Sequence, residues 1–286
     1  MELSHISRVL SRANTWHFDI DRYLDPLVPA PRWNAVPKPV AYFLGYRAER
    51  PKPLGNIVIA FWSLIGAFSG VALVASVSQH VPSFEARHVP AVIGSFGAAA
   101  VLEFGVIDSP LAQPRNAFFS QMIACLVGVG ISKLFALNPS AEKYTSLGGA
   151  LSCGVTTWLM VLTNTVHPPA GATSLLAVTN SQTAGLGWFL FPVMILGVTL
   201  MQTAALLINN INRRFPLYWW TPRSLSRGSR DLEKHRKEAP DVPSRYEDSL
   251  GELRQLVVGR DEILIPDGVY LTGTERKILE RIQDRI

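Results

Sequence analysis

Between Tyr144 and Asn212 the chain carries no Asp, Glu, Lys or Arg. So long an uncharged stretch cannot cover a water-facing surface, and it reads as membrane-embedded. Near the middle of it stands Val166-His167-Pro168-Pro169-Ala170-Gly171-Ala172-Thr173-Ser174. His167 is the one side chain in the stretch that changes charge near neutral pH. An ionisable group beside two prolines at membrane depth marks a candidate functional site.

The charge distribution sets the domain plan. Of 27 Lys and Arg, 8 lie in residues 1–55, 4 in 56–211 and 15 in 212–286; the 22 acidic residues divide 5, 4 and 13. Residues 1–55 therefore read as a cytosolic or interfacial segment, rich in proline and in aromatic anchors such as Trp16, Tyr23, Trp33 and Tyr46. Residues 56–212 read as the transmembrane domain and 213–286 as a soluble tail. Cys125 and Cys153 lie inside apolar runs and read as small core residues. No signal peptide is evident, because Arg8, Arg12, His17 and Asp19 interrupt the first 20 residues.

Four apolar runs are long enough to span. They are Asn56 to Ser78, Asn116 to Leu137, Tyr144 to Val166 and Leu186 to Ile211. At 1.5 Å per residue the first is roughly 34 Å long. Two others are shorter: Val89 to Val106, which contains Glu103, and the twelve residues Pro168 to Thr179. The fold class is all-α membrane protein, with four long transmembrane helices and two short broken or re-entrant ones. Lys and Arg gather at both ends, so the positive-inside rule puts both termini on the cytoplasmic side of a membrane the sequence does not specify. That requires an even number of crossings, four or six. In the tail, Gln255 to Arg260 and Glu262 to Leu271 read as short strands. Thr272-Gly-Thr-Glu275 reads as a capping box opening a last helix, giving a small soluble α+β element.

A shift of 74 residues lays Gly97-Ala98 on Gly171-Ala172 and Leu102 on Leu176. The order long–short–long then occurs twice. Three crossings per unit invert the second copy, and inverted repeats with broken helices point to a transporter site near the midplane.

The short segments supply the candidate residues. Pro168 and Pro169 suit a helix start, and small residues there leave backbone N–H groups open to an anion. The competing reading is that Ser95, Gly97, Gly171 and Thr173 merely permit close helix packing. His167 can donate to an anion, carry a co-transported proton, or bond a backbone carbonyl. Glu103 is a second group for proton coupling, or a buried hydrogen-bonded acid. Arg115 can pair with Asp108 or attract solute at a pore mouth, and Asn116, Gln121, Asn164 and Gln202 are helix glue or path lining. There is no Gly-rich phosphate loop, Cys-x-x-Cys pair, His-Glu-x-x-His helix or Gly-x-Ser-x-Gly elbow. No catalytic or metal site, cofactor or nucleic-acid surface is read.

The blocks Gly94-Ser-Phe-Gly-Ala-Ala-Ala-Val-Leu102, Ser109-Pro-Leu-Ala-Gln-Pro-Arg-Asn116 and His167-Pro-Pro-Ala-Gly-Ala-Thr173 resemble the HPP family of integral membrane proteins. The resemblance covers about residues 55–212. Asp19 to Tyr23, Pro37 to Arg47 and Tyr218 to Pro222 look like its fungal members. It implies four transmembrane helices and weight on His167, Pro168 and Pro169, with Gly171, Ser95, Gly97, Gln113, Arg115 and Asn116 behind them. It also implies a link to nitrite transport, known for plant and cyanobacterial members. The expected function is a transporter or channel for a small solute, foremost an inorganic anion such as nitrite, and not an enzyme. The expected partners are that anion and the lipid bilayer, with homo-oligomerisation left open. The competing classes are a membrane-embedded enzyme using His167 and a scaffold whose tail recruits a partner.

Overall fold

The structure, a computed structural model, describes residues 16–47 and 53–222, with Leu225, Val257, Val258, Ile263, Leu264, Leu279 and Ile282. Six helices make the bundle: α1 (Asn56–Gln79), α2 (Ser95–Ala100, continued by a π-helical turn Val101–Gly105), α3 (Pro114–Phe135), α4 (Thr145–Leu162), α5 (Pro168–Thr179) and α6 (Leu190–Asn212). Four helices are long and apolar enough to cross a membrane: α1, α3, α4 with its preceding turn, and α6 with its preceding turn. Large apolar side chains face outward, among them Ile57, Phe61, Leu64 and Phe68 of α1 and Leu147, Leu151 and Trp158 of α4. That inversion suits a lipid surround. The interior is filled by small residues and by Phe96, Phe104, Leu190, Met194 and Met201.

The breaks have local causes. α4 stops at Leu162 because Asn164 turns left-handed at φ 52° and His167 is extended at φ −146°. Proline disfavours the helical region in the residue before it, so His167 cannot continue the helix. Pro168 and Pro169 then open α5, where a missing N–H costs nothing. The run expected from Val89 is helical only from Ser95, beyond a short turn at Pro82–Glu85 and an irregular stretch.

One end of the bundle collects the start of α1, the end of α2, the start of α3, the end of α4, the start of α5 and the end of α6. Arg213 donates to Phe104 O (2.8 Å), Arg115 to Thr163 O (3.2 Å), the Leu217 N–H to Gln113 Oε1 (2.8 Å), and His167 bonds Leu111 O (2.8 Å). Arg47 donates to Asn210 Oδ1 (2.9 Å) and Arg213 O (3.2 Å), which brings the segment before α1 to the segment after α6. The chain therefore runs the length of the bundle six times. Two of the passes combine a short helix with irregular backbone.

The two halves, α1–α3 and α4–α6, pair their long helices alike, although α5 packs along α3 whereas α2 reaches α6 through Phe96 and its π-helical turn. α1 lies on α6 as α4 lies on α3. Gly66 and Gly70 of α1 seat the Phe104 ring of α2; Gly148 and Gly149 of α4 seat Val178, Leu175 and Thr179 of α5. Gly128 of α3 meets Ala177 of α5, and Gly197 of α6 meets Phe96 of α2. Each half thus contributes the same kind of small-residue socket for a short helix.

The region from Arg227 to Ile286 forms a separate unit. In it Val257–Val258 pairs antiparallel with Ile263–Leu264. This two-residue pairing does not support the expected α+β element, and the capping box at Thr272 lies outside the described residues.

Candidate functional site

His167 is buried at the start of α5. Its side chain does not cap the helix. A carbonyl can only accept, so its Nδ1–H donates to Leu111 O, leaving Nε2 as the acceptor of the neutral ring. The loop offering that carbonyl is fixed by Gln113, whose amide donates to Ile107 O and Ser109 O, both at 2.9 Å. The backbone leading to His167 is tied to α3: Asn116 donates to Val166 O (3.1 Å) and Ser120 to Thr165 O. The i, i+4 spacing of Asn116 and Ser120 puts them on one face of α3, but nothing in the sequence shows that this face meets the turn before His167.

Further along α5, Thr173 Oγ1 donates to Ser95 Oγ (2.8 Å), both fully buried. Ser174 Oγ donates to Gly171 O (3.0 Å), and Ser152 Oγ of α4 donates to Ser174 O (3.0 Å). The starts of α2 and α5 do not meet head to head. Ser95 opens α2 opposite Thr173, six residues past His167, or roughly 9 Å along α5. The short helices lie antiparallel, and the start of α2 meets the middle of α5.

Gly171 is buried beside Cys153, whereas Gly97 is exposed, with open space where a Cβ would be. Pro169 is buried and Pro168 exposed. Arg115 is buried but pairs with Asp21 of the amino-terminal segment, not with Asp108. Its guanidinium stands 4.3 Å from the Trp220 ring centroid and donates to Trp220 O (3.3 Å). Asn164 donates to both Asp19 and Asp21. Arg115 is thus a clamp at the bundle end, already neutralised. The sequence concealed this because the partner lies 94 residues away.

Glu103 is buried on the π-helical turn of α2, the kind of irregularity common at functional sites. Its backbone carbonyl accepts from Asn209 Nδ2 (2.7 Å), and its carboxyl faces the Gln202 side chain of α6. Yet Glu103 Oε2, both polar atoms of Gln202, both of Gln121 on α3 and Thr156 Oγ1 on α4 are buried without a well-formed hydrogen bond. Leaving one such atom unmatched costs ~1–3 kcal/mol. Gln121 and Gln202 were legible as polar residues within spans. Thr156 was not, since threonine is ordinary in a membrane helix.

The model of the HPP transmembrane region matches residues 52–216. Two curated transmembrane proteins of Dictyostelium discoideum are similar. One is 35% identical over 188 residues, covering 63% of this chain and 64% of the relative; the other is 30% identical over 185 residues, covering 63% and 58%. The chain thus matches about three fifths of the length of these relatives. No solved structure matches it. The matched region takes in both short helices, all four long ones and His167, Glu103, Gln121, Gln202 and Thr156, and the chain belongs to the HPP family of transmembrane proteins.

Proposed function

We propose that the protein moves a small solute across its membrane, foremost an inorganic anion such as nitrite. The observation that carries this reading is the set of unmatched polar atoms on Glu103, Gln121, Gln202 and Thr156 inside a membrane-depth bundle. A purely structural core would match or omit them, whereas a transport path needs hydrogen-bonding groups left for a solute or water. Amides suit an anion through their N–H groups, and Gly97 leaves open space on α2, while Ser95, Thr173, His167 and Gly171 are buried polar or small residues of the short helices. His167 and Glu103 are the candidates to accompany the solute with a proton. Arg115 and Asn116 belong to this reading as supports, since Arg115 pairs with Asp21 and Asn116 donates to Val166 O. The internal pseudo-symmetry supports alternating access between two related halves. Both ends of the transmembrane region lie at one bundle end and are rich in Lys and Arg, which supports a cytoplasmic placement for them.

The test is nitrite flux into proteoliposomes, with nitrate, formate and chloride as competitors. Saturable uptake that falls at least tenfold in Gln121→Ala and Gln202→Ala, with folding intact, is the expected result. Absence of flux from folded protein under proton gradients of either direction counts against nitrite and against a proton-coupled anion.

A further inference from the structure

A cavity of about 910 Å³ opens at the bundle end where α1 begins and α6 finishes. A three-atom anion displaces on the order of one or two waters, ~30 Å³ each, so the space is far larger than such an ion needs. Its walls are of two kinds. Leu54, Ile59 and Val106 are apolar and lie at the edge of the membrane-facing surface; Arg213 and Arg214 are cationic.

Among the described residues the arginines have no contact counter-ion. The one ion pair among the described residues is that of Arg115 with Asp21. Arg213 is held by uncharged acceptors, Phe104 O (2.8 Å) and Asn209 Oδ1 (2.6 Å), and its Nε is buried without a partner. Arg214 donates from Nε to Gly45 O (2.9 Å). Arg47 donates to Arg213 O, so a third cation stands behind them. The carboxylate in the lining is Asp108, which acts on Arg213 electrostatically from beyond ion-pair distance. Among the described residues, two arginines line the cavity with one carboxylate and Arg47 stands behind them, at a level where apolar wall gives way to interface. Arginine forks match phosphate geometry, and basic pockets between helices at this level suit anionic headgroups.

We infer that this cavity binds the phosphate headgroup of an anionic phospholipid, with Arg213 and Arg214 on the phosphate and an acyl chain along Leu54, Ile59 and Val106. The binding is independent of any transported solute, so its failure and the failure of the transport reading are separate results.

The test uses the full-length protein purified in detergent, read by native mass spectrometry and thermal unfolding. Phosphatidic acid, phosphatidylglycerol, phosphatidylcholine and inorganic phosphate are the probes. The two anionic lipids are expected to bind and raise Tm, while phosphatidylcholine, whose choline the arginines repel, does neither. Arg214→Gln is expected to weaken anionic-lipid binding about tenfold, the size of a lost charge-assisted contact. Leu54→Trp narrows the apolar wall, leaves every cation in place, and is expected to weaken it too; it decides the matter alone if Arg214→Gln does not fold. Equal binding of phosphatidylcholine, a Tm rise from inorganic phosphate as large as from phosphatidic acid, or undiminished lipid binding in the folded variants would each overturn the inference.

Discussion

At the scale of single residues, two buried groups are held in ways that separate support from function. Arg115 and Asp21 are 3% and 9% exposed at their side chains, so neither charge has water to fall back on. Removing one partner strands the other, which costs roughly 3–5 kcal/mol. Asp21→Ala and Arg115→Ala are each expected to lower stability by that order in detergent unfolding. The double variant should lose less than the two losses added together, since both delete one coupling. Asp108→Ala should leave stability near native, because Asp108 is exposed and makes no contact ion pair among the described residues. A large loss there would mean that the acidic partner has been misidentified. His167 allows a finer division. An asparagine amide can replace the Nδ1–H that donates to Leu111 O but offers no imidazole Nε2. His167→Asn is therefore expected to keep native Tm and lose flux, while His167→Ala loses both. Native flux in a stable His167→Asn protein would reduce the histidine to an anchor.

At the scale of elements, the bundle depends on glycine sockets that seat a neighbouring helix. At Gly128 an added Cβ would stand 2.7 Å from Ala177 Cβ, and at Gly149 it would stand 2.9 Å from Leu175 Cδ1. At Gly197 it would run into the Phe96 ring, and Gly130 faces open space. Gly197→Ala and Gly128→Ala are expected to destabilise by about 1–3 kcal/mol through overpacking, with Gly130→Ala near neutral. Phe96→Leu should recover part of the Gly197→Ala loss, because a smaller side chain vacates the socket. Unfolding midpoints of the four variants would check the order. Long helices of this kind are plain in a sequence, since a run of apolar residues sufficient to span has few other fates. Their ends were less plain. The run through Val166 gave no warning that the helix would stop at Leu162, because the cause, an extended His167 ahead of Pro168, acts on backbone torsion and leaves hydropathy unchanged. The contact of Ser95 with Thr173 was hidden for a different reason: it depends on how far two antiparallel helices slide past each other, which no local pattern encodes.

At the scale of the whole molecule, the remaining question is how each short helix relates to the two sides of the membrane. Positive ends lead to the expectation of an even number of crossings, which four and six satisfy equally. The hydrogen bonds of the bundle favour six, since Phe104 at the end of α2 and Leu111 after it share an end with Arg213 and His167, and α3 departs from there. A re-entrant α2 would return to the side it came from. His80 and the Asp108 loop would then share one face, with Asn138 on the other. Six passes put His80, Asn138 and Gln182 together on one face and Asp108 on the opposite one. All four are exposed. Single cysteines at these positions, on a background with Cys125 and Cys153 replaced, can be challenged with a membrane-impermeant thiol reagent in sealed vesicles of known orientation. Joint labelling of positions 80, 138 and 182 from one face, and of 108 only from the other, is the expected pattern. Labelling of 80 and 108 from the same face would make α2 a re-entrant helix and break the symmetry between the halves. A transport mechanism would then have to rest on the site of α5 alone, because two exchangeable halves require that α2 and α5 both pass through.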